Sequence, residues 1–486
     1  MKSAEISSLN SLGATPIIQN KSELLESIKS RIDLEFSHFD GNKMCLLKTL
    51  FPEFSLPNNE DVTVPFLNLK PKPHKMKDDD IKAKRVDILS FRPVVDQSCW
   101  ILKPLSLLLL QLLTALKFKT LEIFSNILPD PFVKNGHEVQ LRYKSIKLPP
   151  GNYNVLFSAD LSNAYSEVHL SDLEEAVLHL GEATNLCYWK IELTLDLSRL
   201  ILQNNYVESS QGIFKLQECL PMGMPASPAG LDIVGLSSEV KRFQTKQFKF
   251  TELPSNLKST LNCSLEKLVN YTRYQDDTNI VASSTEPEDL KNLTLNIGTL
   301  FSQRIPVNID LFHIYGSFLD VVFLRKLSSG KIETFPKKKL TSPVTFIHSK
   351  SMSPTKHKYS TIFSELVRIR RICSKPSFIP FFDHLLAREF RSLGYTSIEK
   401  KIKKLIEEIR CKFDEKMFKI PAEKPYKRIV YGSTVVLDSV SNSHNIVRDI
   451  LKSSLAEIDV TLPMKIPSKK LKTILHTKNR YLAKMK

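Results

Sequence analysis

Glycine is scarce in this sequence, 14 of 486 residues, about 3% against a usual ~7%. That leaves little room for Gly-rich phosphate loops, and neither GxGxxG nor GxxxxGK occurs. The seven cysteines (45, 99, 187, 219, 263, 373 and 411) are odd in number, far apart and without a CxxC pair. This argues against a disulfide framework and a zinc ribbon, and suits a reducing compartment. Long apolar runs are missing as well. The most apolar stretch, Pro104–Leu116, has 13 residues between Lys103 and Lys117, whereas a membrane span needs ~20. It reads as a buried core helix, and no membrane partner is expected. The first 20 residues carry neither an apolar h-region nor an Arg-rich amphipathic pattern, so no secretion is expected.

What is abundant is positive charge. Lys and Arg number 69 against 52 Asp and Glu, a formal net charge of +17 with a pI near 9.3. One surface helix cannot supply that excess. It points to an extended polyanion, nucleic acid or an anionic membrane surface. The cations are also grouped: residues 334–364 hold six Lys and no acid, and eight Lys or Arg follow Asp459 with no acid. A solvated face is the ordinary meaning of such runs, but two of them in one basic chain favour a phosphate track. The length suggests two to four domains at roughly 100–200 residues each.

Along the chain, residues 1–60 are uninformative apart from a possible amphipathic helix near Lys21–Phe36. Asn154–Asp160 reads as a buried strand and residues 171–204 as helical, with Leu173, Val177, Leu178 and Leu180 on one face. Residues 270–283 read as strand–turn–strand, two apolar and aromatic arms meeting at Asp276-Asp277. Residues 318–335 suggest a hairpin turning at Ser328-Ser329-Gly330. From 361 onward the pattern is helical.

Adjacent carboxylates at a tight turn repel one another unless a cation lies between them. A third carboxylate at the end of another buried strand, Asp160, would complete a nest for two divalent ions, which is the arrangement of in-line phosphoryl displacement. The plainer reading of Asp276-Asp277 is a solvated Asp turn.

The surroundings change that balance. FSADLSNAY (157–165), LPMGMPASPAG (220–230) and RYQDD (273–277) resemble motifs A, B and C of reverse transcriptases, in family order and at plausible spacing. PKPHK (71–75), RPVVD (92–96), NNYVESSQGIFKLQ (204–217) and FLDVVFLRKLSSGKIET (318–334) are similar to motifs of Penelope-like reverse transcriptases. So are HSKSMSPTKHK (348–358), ELVRIRRICS (365–374) and EFRSLGY (389–395). The resemblance spans roughly 61–415. RYxDD also occurs in intron-encoded reverse transcriptases.

The resemblance implies an α+β right-hand polymerase. Residues 1–60 would form an N-terminal segment, 61–155 the fingers, 156–340 an antiparallel-sheet palm, 341–420 a helical thumb and 421–486 a basic extension. It implies an RNA-directed DNA polymerase using an RNA template, a DNA primer, dNTPs and two Mg2+ ions, with Mn2+ as a substitute. Asp160 and Asp276 would hold both metals, with Asp277 assisting. Tyr165, five residues after Asp160, would be a steric gate against a ribose 2′-OH. Lys72 and Arg92 would contact the triphosphate, and Arg suits bidentate phosphate recognition. Gly223 and Ser227 would lie at the nucleotide, and Gln217, Met222 and Pro228 at the template.

The chain also departs from the family. Pro221 or Met222 stands where motif B usually has Gln or Ala, and no clear motif D lysine follows motif C, Lys291 being early and Arg304 a candidate. No GIY-YIG or RNase H signature is found, so an endonuclease-deficient member is expected. Two other readings stay open: an intron-type reverse transcriptase with maturase function, and a catalytically silent nucleic-acid-binding protein of the same fold. Tyr165 and the absence of GDD disfavour an RNA-dependent RNA polymerase. A retroelement enzyme must meet chromosomal DNA, which favours the nucleus over an organelle.

Overall fold

The computed structural model describes residues 2–17, 20–41, 43–45, 62–71, 91–128, 130–149, 152–245, 268–288, 290, 307–312, 315–337 and 346–412. Residues 1–349 and 355–420 belong to one compact unit; residues 350–354 belong with 421–486 to a second, of which the turn Lys350–Pro354 is described.

The first described elements are α1 (Lys2–Ser11), β1 (Thr15–Pro16) and α2 (Lys21–Ser37). Asn20 caps α2, its side chain accepting from the Glu23 N–H, which satisfies one orphan donor of the first turn. Strands β2 (Phe66–Pro71) and β3 (Phe91–Asp96) pair antiparallel, with Lys70 opposite Arg92. Next comes α3 (Lys103–Ile123), longer than the apolar run alone predicts. Proline in its first turn presets helical φ. Leu105, Leu108, Leu109, Leu113 and Leu116 face the core. The spacing of these leucines is that of one helical stripe. This helix is long and apolar enough to cross a membrane by length and composition; here that stripe packs against other helices of the chain. Helix α4 (Gly136–Lys144) follows, capped by Asn135.

Strand β4 (Tyr153–Leu161) leads into the one-turn helix α5 (Ala164–Glu167), then α6 (Leu170–Ala183) and α7 (Tyr188–Gln203). The segment expected as one helical stretch is therefore two helices broken at 184–187. Leu178, expected on the apolar face, is 40% exposed. Strands β5 (Tyr206–Ser209) and β6 (Gly212–Lys215) and helix α8 (Ser227–Thr245) come next. The expected strand–turn–strand is present as β7 (Leu268–Tyr274) and β8 (Asp277–Ser284). After β9 (Val307–Phe312), β10 (Tyr315–Phe318) adds a third strand to the expected hairpin, which is present as β11 (Val321–Arg325) and β12 (Ile332–Pro336) and is thereby extended to a meander. Gly330 makes its turn possible: φ is +62°, and a Cβ there would lie 2.1 Å from the Leu148 carbonyl oxygen. Helices α9 (Thr355–Ile372), α10 (Ile379–Ser392) and α11 (Ile398–Lys412) share their own apolar core.

Among the described residues there are three sheets. One has the order β1-β6-β5-β2-β3, the meander runs β10-β11-β12, and the third is β7-β8-β4-β9. All pairs in the third are antiparallel. Its Leu156 and Val281 pack with Tyr143 of α4 and with Phe323 and Ile332 of the meander. The Tyr143 and Phe323 rings stack at 4.3 Å.

Candidate active site

Asp160 stands near the end of β4, an inner strand held from both sides. The register sets it opposite Asp277 on β8 and opposite Asn308 on β9. Like charges directly opposed on antiparallel strands are destabilising, so the backbone itself builds a place that favours a cation. Beside it the chain reverses in two residues, because Tyr274 pairs with Asp277 and leaves Gln275-Asp276 as the loop. Gln275 has φ 56° while Asp276 is not in the positive region, the pattern of a type II′ turn. Glycine is the usual occupant of that first position; a glutamine there stores about 1–3 kcal/mol of strain. The Asp276 carbonyl accepts from the Leu161 N–H at 3.3 Å, which ties the turn to the end of β4. Burial pushes the Asp276 carboxyl up, the Asp160 charge adds to this, and Arg92 pulls the other way.

Tyr165 reaches this turn by a sharp local path. Asn163 adopts φ 54°, a left-handed conformation that asparagine tolerates better than most residues, and the chain swings from β4 straight into α5. The Tyr165 ring packs against the main helical core, and its hydroxyl donates to Gln275 Oε1 at 3.2 Å. Burial, then the charges of Asp276 and Asp232, hold its phenol well above the ordinary range. Arg92, exposed on β3, lies in electrostatic reach of both Asp276 and Tyr165.

The structure thus brings Asp160, Asp276, Asp277, Tyr165 and Arg92 into one place. Among the described residues no three His, Cys, Asp or Glu side chains converge tightly enough to hold an ion alone. The expected three-carboxylate nest is therefore not closed: Asp276 sits in the turn while Asp277 already belongs to β8. Two carboxylates whose charges oppose each other still fit Mg2+, which usually takes one or two carboxylates and completes its shell with water and substrate phosphates. Asp160 and Asp276 are the pair that would hold it.

The other predicted positions divide. The loop before α8 is fastened to β3, the Met222 carbonyl accepting from the Val95 N–H at 2.8 Å. Gly223 has φ +113°, and a Cβ there would lie 2.2 Å from the Val95 carbonyl oxygen. Its close backbone approach is to this strand. Ser227 is fully buried, its hydroxyl donating to the Pro221 carbonyl at 2.6 Å; it braces the loop from inside. Gln217 is exposed, with its side chain beside Gly13. Pro228 is half-buried in the wall of a cavity of about 710 Å³, which Tyr274, Gln275, Phe118, Phe132 and Leu141 also line. Lys72, Lys291 and Arg304 lie outside the described residues.

Sequence reasoning missed the support beneath the turn. Arg273, on β7, is completely buried. Its guanidinium lies 2.8 Å from Glu239 Oε1 and 3.3 Å from Asp232 Oδ1, both carboxylates projecting from α8. The Tyr271 hydroxyl donates to Glu239 at 2.5 Å, and Lys117 pairs with Asp232 at 2.6 Å. Both cations also cover the Phe132 ring, at 3.3 Å for Lys117 and 4.4 Å for Arg273. The backbone around Phe132 covers the open edge of β7: Arg273 N–H donates to Pro131 at 2.6 Å and Val133 N–H to Arg273 at 3.0 Å. An arginine inside a buried strand was the available signal, since such a charge requires partners.

No protein-family model matches the sequence, and no curated protein does. Similar solved structures are telomerases. The telomerase of Candida albicans in complex with a TWJ fragment of telomeric RNA gives a TM-score of 0.45 at 13% identity, covering 75% of this chain and 61% of that one. The apo telomerase of Candida tropicalis gives 0.41 at 12%, covering 76% and 63%. A form of the latter truncated from the C-terminal domain gives 0.35 at 14%, covering 58% of each. The chain spans less than two thirds of these structures, and at TM-scores below 0.5 the likeness does not define its family.

Proposed function

We propose that the chain is an RNA-directed DNA polymerase of the Penelope-like reverse-transcriptase type, adding deoxynucleotides to a primer 3′-OH on an RNA template. The observation that carries this reading is the β4/β8 register together with the two-residue β7–β8 turn, which gathers Asp160, Asp276 and Asp277 beside Tyr165. In this reading the four-stranded antiparallel sheet is the palm, the sheet containing β2 and β3 belongs to the fingers, and α9–α11 form the thumb.

Two Mg2+ ions, or Mn2+ in their place, would supply the charge that activates the 3′-hydroxyl and stabilises the leaving oxygen. The chain's residues hold and orient the reactants. Asp160 and Asp276 would hold those ions, Arg92 pairs with triphosphate oxygens, and the Tyr165 ring fills the space a 2′-OH would need. The 3′-oxygen forms a bond to the α-phosphorus as the bond to pyrophosphate breaks; pyrophosphate leaves with the electron pair, and the hydroxyl proton passes to solvent. Positioning and charge stabilisation supply most of the rate.

Primer extension on an RNA template with Mg2+ or Mn2+, comparing dNTPs with rNTPs for the wild type and Asp276→Ala, tests this. Extension with dNTPs that disappears in Asp276→Ala is the expected result. Binding of primer–template without extension under either ion would overturn it in favour of a nucleic-acid-binding module.

A further inference from the structure

The contact between Tyr165 and Gln275 joins two parts of the site that neither strand pairing nor core packing requires to touch. The two residues are 110 positions apart, and the bond runs from the tip of the ring to the side-chain carbonyl of the turn, 3.2 Å. Packing against the helical core restrains the inner part of the ring; the hydrogen bond restrains its far end. A ring hinged at Cβ and packed on one side can swing, whereas a ring held at both ends cannot. Gln275 is also where the turn carries a side chain at φ 56° although glycine would fit without strain. The position thus bears a side-chain acceptor at a conformational cost.

We propose that Gln275 is a positioning residue for Tyr165, a latch that sets sugar selectivity. The inference rests on the polymerase reading above. With the latch closed, a ribose 2′-OH must break the hydrogen bond to displace the ring. Because Gln275 immediately precedes Asp276, that displacement also disturbs the metal-binding carboxylate. The wrong sugar is therefore penalised in kcat as well as in KM.

Single-nucleotide insertion on an RNA template tests this with the wild type, Gln275→Met, Tyr165→Phe and the double variant, each checked for folding by its melting temperature. Gln275→Met keeps length and removes the acceptor; Tyr165→Phe keeps the ring and removes the donor. Each is expected to lower the dNTP-over-rNTP ratio of kcat/KM about two- to tenfold, the range of one neutral hydrogen bond. For rNTPs kcat should rise and KM should fall. The double variant is expected to go no further than either single, because both remove the same bond.

A wild-type ratio in Gln275→Met, or effects that multiply in the double variant, overturns the latch while leaving the polymerase intact. A wild type that inserts neither nucleotide overturns the polymerase reading and the latch together. Should Gln275→Met fail to fold, Tyr165→Phe decides by itself: an unchanged ratio overturns the latch, and a reduced one supports it.

Discussion

Replacing Arg273 with methionine would leave the Glu239 carboxylate, itself completely buried, without the guanidinium 2.8 Å away. The Tyr271 hydroxyl, at 2.5 Å, would remain as its donor, and one neutral donor does not offset a buried charge. Removing one partner of a buried ion pair costs about 3–5 kcal/mol, a large share of the ~5–15 kcal/mol that holds a typical domain. The melting temperature of Arg273→Met should fall by about 6–20 °C, following the slope of roughly 2–4 °C per kcal/mol for larger domains. Asp232 should matter less, because Lys117 still pairs with it at 2.6 Å.

The same geometry fixes the sign of the pH dependence. Burial pushes the Glu239 carboxyl up, while the Arg273 charge and the Tyr271 hydroxyl restrain it; without Arg273 it rises further. A carboxyl whose folded value exceeds its unfolded value binds more protons in the folded state. Its contribution is then fully present below the unfolded value, ~4.3, and is lost as pH rises through the folded one. Arg273→Met should therefore be closest to the wild type at about pH 5 and furthest from it above neutrality. Adding Glu239→Gln removes the orphaned charge, and the double variant should recover a substantial part of the loss. Thermal unfolding of the four proteins across pH measures all of this. A single variant within about 2 °C of the wild type, or a double variant as unstable as the sum of the singles, would refute the account.

Two further outcomes follow from backbone contacts and charge. Gly223→Ala places a Cβ 2.2 Å from the Val95 carbonyl oxygen at φ +113°, so the loop must leave β3; extension should be lost together with a fall in melting temperature, and unchanged values in both assays would refute the contact. Affinity for primer–template should fall steeply between about 50 and 200 mM salt. Changing Lys400, Lys403 and Lys404 of α11, all exposed, to glutamine should flatten that slope, and an unchanged slope in a binding titration would exclude α11 from the track.

In the Lys-rich 334–364 stretch, read as part of that track, two of the described cations have internal partners. Lys337 Nζ donates to the Ser317 hydroxyl and Lys358 Nζ to the Ser349 carbonyl, at 2.8 and 2.6 Å. A charge run in sequence therefore overstates the number of ammonium donors turned toward a partner. The exposed lysines of α11 were legible only as part of an amphipathic helix, whose apolar side is buried by Ile398, Ile402, Leu405 and Ile409.

What could be read from the sequence was whatever the chain decides over a few residues. The β7–β8 hairpin is of that kind: two apolar arms and a two-residue turn leave little choice of register, and Asp276 and Asp277 follow from it. Distance along the chain hid the rest. Arg273 meets its carboxylates across 34 and 41 positions, and Thr15 of β1 pairs with Lys215 of β6, so a two-residue strand acquires its place from a partner 200 residues away. Lys117 shows why charge misleads when read locally. Taken as the boundary of an apolar run, it lies inside α3, and its ammonium is neutralised by Asp232 and covers the Phe132 ring. Ser227 runs in the opposite direction: the resemblance implies a place at the nucleotide, and its hydroxyl donates to Pro221 within the loop itself. In both cases the partner determines the role, because a buried polar group without a partner is too costly to keep.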